Sequence, residues 1–136
     1  MAAVNLFNWN VRVYYEDTDA GGVVYHSHYL NFMERARTEW LRNLGFEQTT
    51  LKDELNIIFV VHSAQIDFKK PAKFNDLLTV SCEIAKIGRS SFEVAQTITF
   101  NAQLLTQALI RIVCVNPNTF RPVAIPSVLL SKMEQT

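Results

Sequence analysis

At 136 residues, 49% of them hydrophobic, the chain has the length and the apolar content for one domain with a sizeable core. Its 13 basic and 13 acidic side chains cancel, which argues against nucleic acid or an anionic membrane surface as the partner of a global field. No apolar run approaches the roughly 20 residues that cross a bilayer, and the N-terminus lacks the basic and apolar regions of a secretory signal, so the chain reads as cytoplasmic.

In chain order, the alternating Val- and Tyr-rich stretch from about Asn10 to Glu16 suits a first strand. A long amphipathic helix follows from near Ser27 or His28. Tyr29, Phe32, Met33, Ala36, Trp40, Leu41 and Leu44 recur at intervals of three and four, with charged residues between them and Gly45 at the stop position. Gln48 to Leu55 suits a short second helix capped by Thr49 or Thr50.

From Ile57 the period changes to two. Ile57 to Phe68, Leu77 to Ile87, Ser91 to Phe100 and Leu104 to Val115 read as four strands of an antiparallel meander. Three prolines after the last strand mark an irregular return, and Ser127 caps a short C-terminal helix. There is no repeat and no linker, so residues 1–136 read as a single α+β domain in which one sheet packs on one helix. The outer face and edges of such a sheet need cover, which favours a dimer. Cys82 and Cys114 fall on strands without CxxC spacing and read as buried thiols.

The stretch from Tyr14 to His26 carries the chemistry. It places carboxylates, Gly21, Gly22 and a histidine directly before the long helix, whose unpaired N–H groups face back at the loop. Such a corner suits an oxygen that is becoming negative, with a carboxylate beside it. The competing reading is that Asp17 or Asp19 caps a turn, that His26 is a polar helix cap and that the glycines only serve the turn. His26, His28 and His62 match no metal-ligand spacing, and no metal is expected.

The run Tyr15-Glu16-Asp17-Thr18-Asp19-Ala20-Gly21-Gly22-Val23-Val24-Tyr25-His26, followed by Tyr29 and Glu34-Arg35-Ala36-Arg37, resembles the signature of hot-dog-fold acyl-CoA thioesterases of the 4-hydroxybenzoyl-CoA thioesterase family. More narrowly, it resembles the bacterial branch encoded with the Tol-Pal envelope system. The resemblance implies a five-stranded antiparallel sheet wrapped around one long helix, and a homodimer or homotetramer with active sites between subunits. It implies acyl-CoA as substrate, coenzyme A entering only as part of it, and no separate cofactor. Asp19 would be nucleophile or general base, and His26 would present its main-chain N–H to the thioester oxygen. Apart from the resemblance, Gly21 and Gly22 would let an acyl chain approach the backbone closely, and Val23, Val24, Tyr25, Tyr29, Phe32, Phe59 and Val60 suit an acyl pocket, each being equally at home in the core.

Thioester hydrolysis suits a lone carboxylate, because a thiolate with a pKa near 8.5 leaves without a dedicated acid. Arg89 and Ser91 lie in the turn where aryl-CoA members of the family hold the nucleotide, but Gly88 and Ser90 stand where those members carry further basic residues. That departure leaves acyl carrier protein as an alternative donor, with Lys69, Lys70 and Lys73 either a docking patch for an acidic partner or a solvated loop beside Pro71. The acyl group would be short to medium and aliphatic. Peripheral attachment at the inner membrane stays open, as do a dehydratase acting on hydroxyacyl thioesters and a binding module without turnover.

Overall fold

The computed structural model describes residues 6–134; the two ends of the expected 1–136 unit lie outside the described residues. Strand β1 (Phe7–Arg12) is followed by a 3₁₀ turn at Tyr15–Asp17, helix α1 (His26–Asn43) and helix α2 (Gln48–Leu55). Strands β2 (Ile58–Phe68), β3 (Leu77–Ile87), β4 (Ser91–Phe100) and β5 (Gln103–Val115) precede helix α3 (Ser127–Glu134). The five strands form one antiparallel sheet in the order β1-β3-β4-β5-β2. This is the expected hot-dog arrangement.

The apolar stripe of α1 makes the core. Tyr29, Phe32, Met33, Ala36, Trp40 and Leu41 are all buried, and they share one core with Leu78, Val80 and Cys82 of β3, Val94 and Ile98 of β4, and Ile110 and Ile112 of β5. The alternation of those strand residues is what a sheet with one covered face requires. The intervening residues of the other face include Glu83, Glu93, Thr97, Gln107 and Arg111, so much of that face is polar enough to meet water. A buried polar strut joins the layers. Gln96 donates to the Met33 carbonyl at 3.1 Å and accepts from Arg37 Nη1 at 2.9 Å.

Five details differ from the sequence expectation. Ser127 is the first residue of α3 and not its cap, the Pro126 carbonyl before it accepting the Leu129 and Leu130 N–H groups. The first strand lies earlier, ending at Arg12, because residues 15–17 close a 3₁₀ turn in which the Asp17 carboxylate takes the Tyr14 N–H. Helix α1 begins at His26, ahead of Ser27 and His28. Helix α2 is preceded by Glu47 with no side-chain cap, so Thr49 and Thr50 lie inside it. The meander covers only β3 to β5, since β2 pairs with β5 and β3 with β1.

The last difference has a physical cause in residues 69–76. Instead of a tight turn they cross one end of the sheet, bonding first to the Leu105 carbonyl and then to the Val13 carbonyl. This strap carries the chain from one edge to the other. It passes over the loop that leads into α1.

Candidate active site

The loop from Asp17 to Tyr25 folds back on itself as a small hairpin. Tyr25 N–H bonds the Asp17 carbonyl at 2.9 Å, Thr18 and Val24 form a bridge, and Asp19 N–H bonds the Val23 carbonyl at 2.9 Å. Gly22 N–H closes the tip on the Asp19 carbonyl at 3.0 Å. Gly22 has φ +81°, a backbone conformation that a side chain resists. The strap holds the hairpin from outside, with the Val24 N–H on the Ala72 carbonyl at 2.9 Å and the Ala72 N–H on the buried Tyr29 hydroxyl at 2.9 Å.

Asp19 lies exposed near the tip. Its Oδ1 accepts the Gly21 N–H at 2.8 Å, the turn-capping bond of the competing reading. That bond engages one oxygen only, and Oδ2 makes no hydrogen bond among the described residues. A Cβ at Gly21 would stand 3.2 Å from Asp19 Oδ1, close enough that the carboxylate would have to shift by a few tenths of an ångström.

His26 is the first residue of α1, and the preceding Tyr25 supplies no side-chain cap. The N–H groups of His26 and Ser27 have no acceptor among the described residues. An uncapped helix start of this kind carries partial positive charge and donors aimed at one point. The His26 ring is exposed and packs on Phe68, with centroids 4.8 Å apart. Beside it opens a cleft of about 200 Å³ lined by Val23, Val24, His26, Tyr29, Phe68 and the strap residues 69–71. Tyr29 meets Phe68 edge-on at 5.3 Å. Burial, first of all, raises the pKa of its phenol, so it stays neutral. Tyr25 is exposed and lies outside the cleft wall, as does Asp19.

The sequence profile of the Thioesterase superfamily matches residues 21–103 of the chain. The chain belongs to this superfamily. It is similar to the acyl-CoA thioesterase YbgC of Haemophilus influenzae, at 47% identity over 122 residues and 90% of each chain. It is also similar to the acyl-CoA thioester hydrolase YbgC of Escherichia coli, at 44% identity over 132 residues, which is 96% of this chain and 97% of that one. The crystal structure of a probable thioesterase from Bartonella henselae has 35% identity and a TM-score of 0.86, and the match covers 89% of this chain and 99% of that one.

Within this thioesterase fold the proposed nucleotide residues stand apart from the loop. Ser91 is opposite Val113, which is opposite Val60, whereas the loop departs from Arg12, opposite Leu77. Arg89 and Ser91 therefore lie at the far end of the same sheet from Asp19. The Arg89 carbonyl accepts the Ile125 N–H at 2.9 Å, and Arg111 Nη2 reaches the Ser91 hydroxyl at 3.5 Å.

Lys69 and Lys70 line the cleft, and Lys73 pairs through its backbone with Val23. Their ammonium groups have no carboxylate partner among the described residues. Cys82 and Cys114 are buried free thiols, as expected. Two features of the candidate site are not foreshadowed by the sequence. Phe68 is the aromatic floor under His26, and Asp17 pairs with His28. Each contact joins residues of different elements, 42 and 11 residues apart, which the periodicity within one element does not relate.

Proposed function

We propose that the protein hydrolyses acyl-CoA thioesters to the free acid and coenzyme A, with Asp19 as nucleophile or general base. The observation that carries this reading is the juxtaposition on one loop of a carboxylate pinned through one oxygen and an uncapped helix start at His26 beside an apolar cleft. The thioester oxygen takes the His26 N–H as negative charge develops on it. Asp19 Oδ2 either attacks the carbonyl carbon, expelling thiolate and leaving an anhydride that water opens, or takes a proton from the attacking water. The acid and the thiol are the same products either way. The YbgC relatives, named acyl-CoA thioesterases, support the substrate class.

The active unit in this reading is a homodimer, itself able to pair into a homotetramer. Strand β2 supports it: 11 residues long and at the sheet edge, it presents an unpaired rim with Val61 53% exposed. Two copies pairing antiparallel along β2 would set the Ile58 end of one strand beside the Phe68 end of the other. The partner's Arg89 end then approaches the first copy's Asp19 end, and the second copy supplies the surface that excludes water from Asp19.

Lys69 and Lys70 at the cleft favour a second donor, an acyl thioester on acyl carrier protein, whose acidic surface they would meet. The resemblance to the Tol-Pal-associated branch fits such a donor, with work in the cytoplasm at or near the inner membrane; no helix among the described residues is long and apolar enough to cross it.

The test is release of free thiol from acyl-CoA esters from acetyl to palmitoyl, plus benzoyl, and from the matching acyl carrier protein thioesters. Hydrolysis peaking at short to medium aliphatic chains supports the reading. Hydration of a crotonyl thioester without thiol release would replace it with a dehydratase, and binding without turnover would replace it with a sensor of acyl carriers.

A further inference from the structure

Helix α1 starts beside a buried carboxylate that does not cap it. Asp17 is 5% exposed, and its oxygens are both engaged: Oδ2 takes the Tyr14 N–H at 2.9 Å and Oδ1 meets His28 Nδ1 at 2.9 Å. Its carbonyl accepts the Tyr25 N–H at 2.9 Å. One residue thus ties the chain leaving β1 to the chain starting α1, with Asp19 two positions downstream and His26 between Tyr25 and His28. A carboxylate next to a helix start ordinarily turns onto its free N–H groups, where the dipole stabilises it. Here the His28 ring donates to it instead, and the N–H groups of His26 and Ser27 stay open.

We propose that Asp17 and His28 are positioning residues of the thioesterase site, and that His28 holds the Asp17 carboxylate off the helix start so that the His26 N–H remains free for the thioester oxygen. This rests on the reading of Asp19 and His26 given above. Neither residue needs to touch substrate. Their effect passes through the geometry of the hairpin and the vacancy at the helix start, and displacement of reacting groups by about 1 Å is enough to lower a rate by about 100-fold. Losing His28 frees the carboxylate to reach the helix start, while Asp17→Asn weakens the tie between the Tyr14 N–H and the His28 ring that sets the hairpin, so each should lower kcat by its own route.

The experiment compares wild type, Asp17→Asn, His28→Ala and His28→Asn, with Asp19→Asn alongside, on the best acyl-CoA ester. Expected are a fall in kcat of roughly 10- to 100-fold for Asp17→Asn and His28→Ala with KM within about twofold, and recovery of most of kcat in His28→Asn, whose amide can still donate to Asp17. Amide spectra give a readout independent of turnover. In His28→Ala the His26 and Ser27 N–H signals should move downfield as the released carboxylate caps them. Unchanged kcat with unchanged amide signals, or a loss of kcat that merely follows loss of folded protein, overturns the proposal. Full activity in Asp19→Asn would instead sink the reading of the site, while the amide signals would still decide where the Asp17 carboxylate goes.

Discussion

Asp19 and Gly21 act as one device. The carboxylate is held by the Gly21 N–H, and the missing Cβ gives it room, since that atom would stand 3.2 Å from Oδ1. The contact is to the end of a side chain that can swing aside, so Gly21→Ala should change stability by less than about 0.5 kcal/mol. The swing displaces the reacting oxygen, and kcat should fall at least about tenfold. Thermal melting and steady-state kinetics on the same preparation check both halves. Gly22 differs in kind. At φ +81° any other residue is strained, and Gly22→Ala should cost about 1 kcal/mol or more while leaving the carboxylate bond in place.

At the scale of elements, what could be read from the sequence was what local periodicity controls. The stripe from Tyr29 to Leu41 marked the helix and its buried face, and the two-residue alternation placed β2 to β5 within a residue of their observed bounds. The neighbours of β2 and β3 were not legible, because they depend on the strap from 69 to 76 crossing the sheet end rather than turning. The 3₁₀ turn was hidden for a similar reason: alternation continued through Tyr14 and Tyr15, and a side-chain bond from Asp17 overrode it. Asp19 and His26 stand out in the sequence as candidates because they flank glycines before a helix, while the contacts of Phe68 with His26 and of His28 with Asp17 arise only from folding.

The junction of helix and sheet also carries a testable weight. Gln96 is buried and accepts from Arg37, whose guanidinium burial holds below its ordinary pKa. Gln96→Leu would strip that partner and leave the Met33 carbonyl without its side-chain donor. A loss of about 2–3 kcal/mol in denaturant stability is expected. A loss under about 0.5 kcal/mol would show that the strut is solvated in the free protein.

For the molecule as a whole, the buried thiols set an alkaline limit. Burial pushes Cys82 up from 9.0 to about 12, with nearby Arg37 and Gln96 pulling the other way, and pushes Cys114 up from 9.0 to about 11. A folded pKa above the unfolded value adds stability that is complete below pH 9 and is lost as pH rises through 11 and 12. The denaturant midpoint should therefore hold through neutral pH and fall progressively above 9, and neither thiol should react with a maleimide in the native state at pH 7. Assembly is the other whole-molecule property. If two copies join along β2 with the Ile58 end of one beside the Phe68 end of the other, a charge at Val61 is carried into the seam between them, two residues from its centre. Val61→Asp should yield a monomer by sedimentation, with thioesterase turnover reduced at least about tenfold because Asp19 loses its cover. A monomeric wild type, or a fully active monomeric variant, would contradict that assembly.

The measurement that bears most directly on the site is thiol release by wild type and Asp19→Asn, matched for fold by circular dichroism, on the acyl-CoA ester the wild type prefers. A loss in kcat of about 100-fold or more, with the melting temperature retained, is the predicted result for a nucleophile or general base. Turnover within about twofold of wild type would contradict it and reduce Asp19 to the cap of its own turn.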